Sequence, residues 1–141
     1  MAVRKANAQW QGGLKEGKGN LSLGSGAFTG NYSFLSRFEE GSGTNPEELI
    51  AAAHAACFSM ALSAGLEQAG YQPESVKTEA KVKLVQNDGG FAITQIDLVS
   101  EAKIPNISED DFQQQAKGAK ENCPVSKVLA GAEITLDAKL V

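Results

Sequence analysis

Two cysteines, a single histidine and one conspicuous arginine carry most of the chemistry this sequence can hold. Cys57 lies inside the run GTNPEELIAAAHAACFSMALSAGLEQAG, residues 43–70, and Cys123 lies inside ENCPVSKVL, residues 121–129. The thiolate is the reactive form of cysteine, and helix N-termini or neighbouring cations favour it. Around Cys57 the residues are small and uncharged: Ala51, Ala52, Ala53, Ala55, Ala56, Ser59 and Ala61. Desolvation of that kind raises a thiol's pKa, so a reactive Cys57 needs a cation brought to it by the fold. Cys123 stands beside Pro124 at a break in the chain, where backbone N–H groups point outward, a natural seat for a resolving thiol. Spacing alone does not bring the two sulfurs together. Two buried small hydrophobes are an equally open reading.

Arg37 is the best candidate cation. It closes an apolar run, NYSFLSRF over residues 31–38, that reads as a strand. A guanidinium there can hold a thiolate, although a strand-end surface arginine is the plain alternative. Glu47 and Glu48 sit in the first turn of the following helix, where both suit the helix dipole and Glu48 completes a capping box with Asn45. A functional Glu47 would clamp Arg37. His54 precedes Cys57 by one helical turn, so a Cys–His dyad is conceivable, but no third group orients it. A buried, hydrogen-bonded or interface histidine is the stronger reading. A zinc site from Cys57, Cys123 and His54 would lack a paired-cysteine motif and a fourth ligand.

The element that must position Cys57 is one long helix within residues 43–70. Asn45 can cap it, Pro46 suits its first turn and Gly70 can end it. No charged residue falls between Glu48 and Glu67. A helix without a polar stripe must be covered on nearly all sides. A sheet covers one side, and a chain of this length has little left for the other. That predicts a homodimer with these helices at its centre. A straight helix also separates Glu47 from Cys57 by about 15 Å of rise. Glu47 therefore serves a Cys57 only if the helix breaks after Leu49 or if the thiol belongs to the partner chain.

Strands are predicted at residues 2–10, 19–23 and 31–38 before this helix. Residues 76–85 and 91–104 alternate as a hairpin around Asn87–Gly90, each with one apolar face. Ala92, Thr94, Ile96 and Leu98 fall in phase on the second strand. Ser108, followed by three acids, opens a further helix; a short one covers residues 125–130, and a strand covers 134–140. The glycines of GKGNLSLGSG match neither phosphate-binding pattern and read as turns. The order βββ-α-ββ-αα-β is an α+β fold of antiparallel sheets packed on long central helices, one domain over residues 1–141.

Composition narrows the function. The 141 residues are 42% hydrophobic and 21% charged, values of a globular chain. A net charge of −4 without a basic run argues against nucleic acid as a partner. Arg4 and Lys5 have no apolar core behind them, so no secretory signal is expected. Residues 49–66 approach the length of a membrane span but are alanine-rich and include His54, Ser59, Ser63 and Gly65, so no membrane is expected. Two cysteines in such a cytoplasmic chain point to catalysis, redox chemistry or core filling.

The run RFEEGSGTNPEELIAAAHAACFSMAL, residues 37–62, resembles the osmotically inducible protein C family of thiol peroxidases, which includes the organic hydroperoxide resistance proteins. The run ENCPVSKVL resembles that family's second-cysteine motif. The resemblance implies an intertwined homodimer with two active sites at its interface. It implies Cys57 as the peroxidatic cysteine, Cys123 as the resolving cysteine, and Arg37 and Glu47 as the pair that activates the thiolate. The position of Arg37 just before the glycine-rich connection resembles the osmotically inducible branch. The implied reaction reduces an organic hydroperoxide, and hydrogen peroxide more weakly, through a Cys57 sulfenic acid and a Cys57–Cys123 disulfide. An external dithiol, for which the resemblance allows a lipoyl type, restores the thiols, and no cofactor or metal is needed. Two other readings remain: a non-enzymatic dimer that binds an apolar ligand between its helices, and a thiol redox sensor.

Overall fold

A computed structural model describes all 141 residues. The chain forms two compact units, Met1–Leu49 and Ile50–Val141.

The first unit holds an antiparallel sheet of β1 (Ala6–Gln11), β2 (Lys18–Leu23) and β3 (Thr29–Tyr32), in that order. Trp10 packs on Tyr32 with ring centroids 5.5 Å apart. A Cβ at Gly19 would lie 2.6 Å from the Tyr32 ring, so only glycine lets the two rings close over β2. The strand expected over residues 31–38 ends at Tyr32. Ser33 then caps a one-turn helix, α1 (Phe34–Phe38), through a reciprocal pair of bonds: Ser33 Oγ accepts from the Ser36 amide, and Ser36 Oγ accepts from the Ser33 amide. An apolar run of this length fits either period, and the two serines three residues apart decide for the helix. Arg37 therefore sits in the last turn of a helix, not at a strand end.

Helix α2 covers Pro46–Gln68. Asn45 caps it, its side-chain oxygen accepting from the Glu48 amide at 2.8 Å. The Glu48 carboxylate accepts instead from the Thr44 hydroxyl, also at 2.8 Å. At the other end Gly70 takes a φ of +93°, the Tyr71 amide reaches the Leu66 carbonyl and the Gly70 amide reaches that of Glu67. That pair of bonds is a Schellman stop, and it needs the left-handed residue that glycine supplies. By length and composition alone, with mean hydropathy 1.7, α2 could cross a membrane. Yet His54, Phe58, Leu62 and Leu66, spaced four apart, are fully buried in the chain's own interior.

The second unit pairs β4 (Ser75–Asn87) and β5 (Gly90–Lys103) as the expected hairpin, with β6 (Glu133–Leu140) on the far edge of β5. β6 runs parallel to β5, so the sheet is mixed rather than wholly antiparallel. Two helices, α3 (Glu109–Asn122) and α4 (Pro124–Val128), make the crossover that a parallel neighbour requires. A bulge between Lys83 and Leu84 leaves Thr94 without an opposite residue. The phase of β5 shifts there: Ile93 packs on the core and Thr94 is exposed, contrary to simple alternation. Phe58, Leu62 and Leu66 of α2 meet Ile96, Leu98 and Ala102 of β5 and Phe112, Ala116 and Ala119 of α3. One polar link crosses this core, from Ser59 Oγ through Thr78 Oγ1 to Ser100 Oγ, at 2.8 and 3.1 Å. It pins the turn of α2 that carries Cys57 to the sheet.

Phe112 has no exposed surface. Phe112→Ala is expected to lower unfolding free energy by about 3–5 kcal/mol. Gly70→Ala, where an added Cβ would meet nothing within 4 Å, is expected to cost only the left-handed backbone, about 1–2 kcal/mol. Urea denaturation of the two variants checks the ranking.

Candidate active site

The second unit brings the two cysteines together. They are 66 residues apart in sequence, and Cys123 Sγ and Cys57 Sγ approach to 2.7 Å with both thiols free of a disulfide. Cys57 is half-buried on α2 between Ala56 and Phe58, and Phe58 is locked into the core. Cys123 is fully buried and ends one helix while beginning the next. Its amide donates to the Ala119 carbonyl, and its own carbonyl accepts from the Lys127 amide. Pro124 disfavours helical geometry at the residue before it, and Cys123 has a ψ of 123°. The sequence expectation for this junction holds: the thiol sits at the head of α4.

The two thiols are electrostatically unequal. Burial pushes Cys57 up from the ordinary thiol value, and its hydrogen bond with Cys123 pushes the same way. Burial also pushes Cys123 up. The hydrogen bond with Cys57, then those from the Ser126 amide and hydroxyl and the Val125 amide, outweigh it and hold Cys123 below the ordinary value. No cation acts on either sulfur within this unit. An activated Cys57 therefore still needs one.

The first unit builds a cation of the expected kind. Arg37 Nε donates to Glu47 Oε1 at 2.8 Å. Two bonds brace the pair: Ser36 Oγ donates to the Thr44 carbonyl at 2.7 Å, and Asn45 Nδ2 donates to the Ser36 carbonyl at 2.9 Å. They tie α1 to the start of α2, so Arg37 and Glu47 face each other from two capped helix ends. Glu47 is buried, and its second oxygen, Oε2, has no partner. The Arg37 guanidinium lies 5.2 Å from the Phe38 ring centre, beside a hollow of about 230 Å³ lined also by Trp10, Leu14, Tyr32 and Phe34.

His54 is fully buried, and its Nε2 lies 2.7 Å from Ser126 Oγ; its Nδ1 has no partner. It turns to Ser126 rather than forming a dyad with Cys57. Sequence reasoning missed Ser126, three residues after Cys123, because nothing local distinguishes it from an ordinary helix serine. Its only advance signal was its place in the first turn after Pro124. No three His, Cys, Asp or Glu side chains converge as metal ligands would.

Residues 39–139 match the model of the family described as OsmC-like protein. The chain is 53% identical over 138 residues to Peroxiredoxin OsmC of Escherichia coli, covering 97% of this chain and 96% of that protein. It is 37% identical over 100 residues to the organic hydroperoxide resistance protein OhrB of Bacillus subtilis, covering 70% of this chain and 68% of that protein. The crystal structure of OhrB superposes with a TM-score of 0.72 at 26% identity, over 97% of this chain and 98% of that one.

Burial lowers the pKa of His54 from 6.5. The unfolded chain then binds a proton in a pH window where the folded chain does not. Stability is thus full above about pH 6.5 and falls as pH drops through that value towards the folded pKa. Urea midpoints between about pH 7 and about pH 5 are expected to fall more steeply for the natural chain than for His54→Gln.

Proposed function

The chain belongs to the OsmC-like family, and on that footing we propose that it is a peroxide-reducing oxidoreductase working through two thiols. The observation that carries the reading is the 2.7 Å approach of Cys57 and Cys123. Residues 1–141 act as one such domain, in the cytoplasm, where free thiols are kept reduced. Cys57 is the peroxidatic thiol. Its thiolate attacks the distal oxygen of an organic hydroperoxide, the O–O bond breaks, the alkoxide leaves and takes a proton from solvent to become the alcohol, and Cys57 becomes a sulfenic acid. Cys123 attacks that sulfur, forming the disulfide and expelling water. An external dithiol reduces the disulfide by exchange. Hydrogen peroxide follows the same route but gains nothing from apolar contact. The aromatic hollow beside Arg37 supports an organic substrate, since apolar surface there can cover an alkyl or aryl chain.

Arg37 supplies the missing cation, and Glu47 orients it. Their bond uses Nε, so the two terminal nitrogens are the ones to hold an anion. Because α2 is continuous, Glu47 and Cys57 are about 15 Å apart along it. We therefore assign the Arg37–Glu47 pair to the Cys57 of a second copy, in a homodimer. The outer face of α2 supports this arrangement. Ala52, Ala56, Met60 and Ala64 are exposed at four-residue spacing, with Met60 75% exposed, an apolar stripe opposite the buried one.

Cys57→Ser is expected to abolish peroxide turnover. Cys123→Ser is expected to keep the first oxidation and lose the disulfide. Intact mass after one equivalent of cumene hydroperoxide should show the natural chain losing two hydrogens; an unchanged mass would overturn the two-thiol reading. Co-expression of Arg37→Ala with Cys57→Ser tests the shared site. Neither variant is expected to be active alone. Half of randomly paired dimers are mixed and hold one complete site, so roughly a quarter of natural activity should return. No recovery would place the pair and the thiol in the same chain.

A further inference from the structure

The two-thiol reading leaves one buried polar pair without a task. His54 on α2 and Ser126 on α4 are both buried, and His54 Nε2 meets Ser126 Oγ at 2.7 Å across 72 residues of sequence. One helical turn further along α2, Cys57 Sγ meets Cys123 Sγ, also at 2.7 Å. His54 precedes Cys57 by three residues, and Ser126 follows Cys123 by three. The two contacts are therefore successive rungs across one seam, with the chain running in opposite directions on its two sides.

Little else seats α4 on that seam. The helix has five residues, Pro124–Val128, and no side-chain cap. A helix that short is not stable by itself in water. Val128 is 83% exposed, and no residue of α4 belongs to the apolar core cluster. Ser126 is the one buried side chain of α4, and its hydroxyl is bonded to His54. Cys123 is joined to the same turn, since its carbonyl accepts from the Lys127 amide. The seat of α4 thus sets the place of the resolving sulfur. Apolar packing would close the seam at a lower desolvation cost, whereas a hydrogen bond fixes both distance and direction. His54 Nδ1 has no partner, so the bond to α4 is the ring's only polar tie.

We propose that the His54–Ser126 hydrogen bond is a register clamp, which seats α4 one turn from the sulfurs and so holds Cys123 in line to close on oxidised Cys57. Both are positioning residues; neither exchanges a proton or an electron in this role. Closure joins two groups of one chain, and its rate follows the fraction of time they stand in attacking geometry. A Cys57 sulfenic acid left waiting meets a second hydroperoxide. That molecule gives its distal oxygen to the sulfur and leaves as the alcohol, and Cys57 becomes a sulfinic acid that thiols do not reduce. The clamp thereby sets the balance between turnover and loss of the peroxidatic thiol.

This inference rests on the two-thiol reading, and the test keeps the two apart. Reduced full-length protein is mixed with excess cumene hydroperoxide, and intact mass is followed for the disulfide and the sulfinic acid. In His54→Leu and in Ser126→Ala, the ratio of disulfide to sulfinic acid is expected to fall about 10-fold or more. His54→Gln, whose amide can reach the same hydroxyl, should keep most of the natural ratio. A merely structural pair would lower the urea midpoint of the reduced protein and leave the ratio alone. A natural ratio in either His54→Leu or Ser126→Ala would overturn the clamp. So would a fall in His54→Gln as deep as in His54→Leu, since the bond survives that change. Should His54→Leu not fold, Ser126→Ala, which removes one oxygen, decides. If hydroperoxide does not oxidise the natural chain at all, the functional reading has failed instead. The clamp is then read from the equilibrium between the Cys57–Cys123 disulfide and dithiothreitol. Ser126→Ala is expected to hold its disulfide about 10-fold less well. An equilibrium equal to the natural one, or no disulfide in the natural chain, would overturn the clamp.

Discussion

The cost of ionising Cys57 is the constraint around which the rest of the molecule is arranged. The thiol sits on a helix with no charge from Leu49 to Leu66, among alanines, and burial raises its pKa. The same small residues that deny it a counter-charge also let another surface approach closely. Within the second unit the Ser126 amide and hydroxyl favour ionisation of Cys123, while the Val125 amide acts on both sulfurs. The surroundings in that unit favour ionisation of Cys123 over that of Cys57. In the proposed homodimer, a guanidinium brought by a second copy would reverse that order.

The parts of this arrangement that could be read from sequence are those with local causes. The Asn45 cap and the Gly70 stop of α2 are short-range hydrogen-bond problems with few solutions, and both are solved by the residues expected. The break at Cys123 follows from the steric demand of Pro124 on its neighbour. The β4–β5 hairpin follows from alternation on either side of Asp88 and Gly89. Membership of the family was legible for a related reason: it rests on two contiguous runs, each holding a cysteine in a distinctive local context.

Features that depend on partners far along the chain were not legible. Arg37 was expected at a strand end because Tyr32, Phe34 and Leu35 suit either element; the Ser33–Ser36 exchange that makes α1 is visible only once the chain turns. The parallel placement of β6 depends on how α3 and α4 carry the chain across the sheet, and the displacement of Thr94 depends on register with β4. Ser126 meets His54, 72 residues earlier, and no local pattern relates the two. His54 was weighed against the nearer Cys57 because helix spacing suggested it, whereas the fold turned it to a serine on another helix.

The Cys123–Pro124 junction shows how little freedom the site has. A helix advances about 100° per residue, so a chain that continued α3 through Cys123 would swing both the thiol and Ser126 away from α2. The extended ψ of Cys123, set by Pro124, instead restarts the helix on a new axis. Ser126 then falls in the first turn of α4, where its hydroxyl meets His54 of α2. The proline does two jobs with one steric clash: it ends the helix that builds the core with Phe112, Ala116 and Ala119, and it aims the next one at the thiols. Core and chemistry are coupled at that bond, so a change that loosens α3 should be felt in the Cys57–Cys123 approach before it is felt in the sheet.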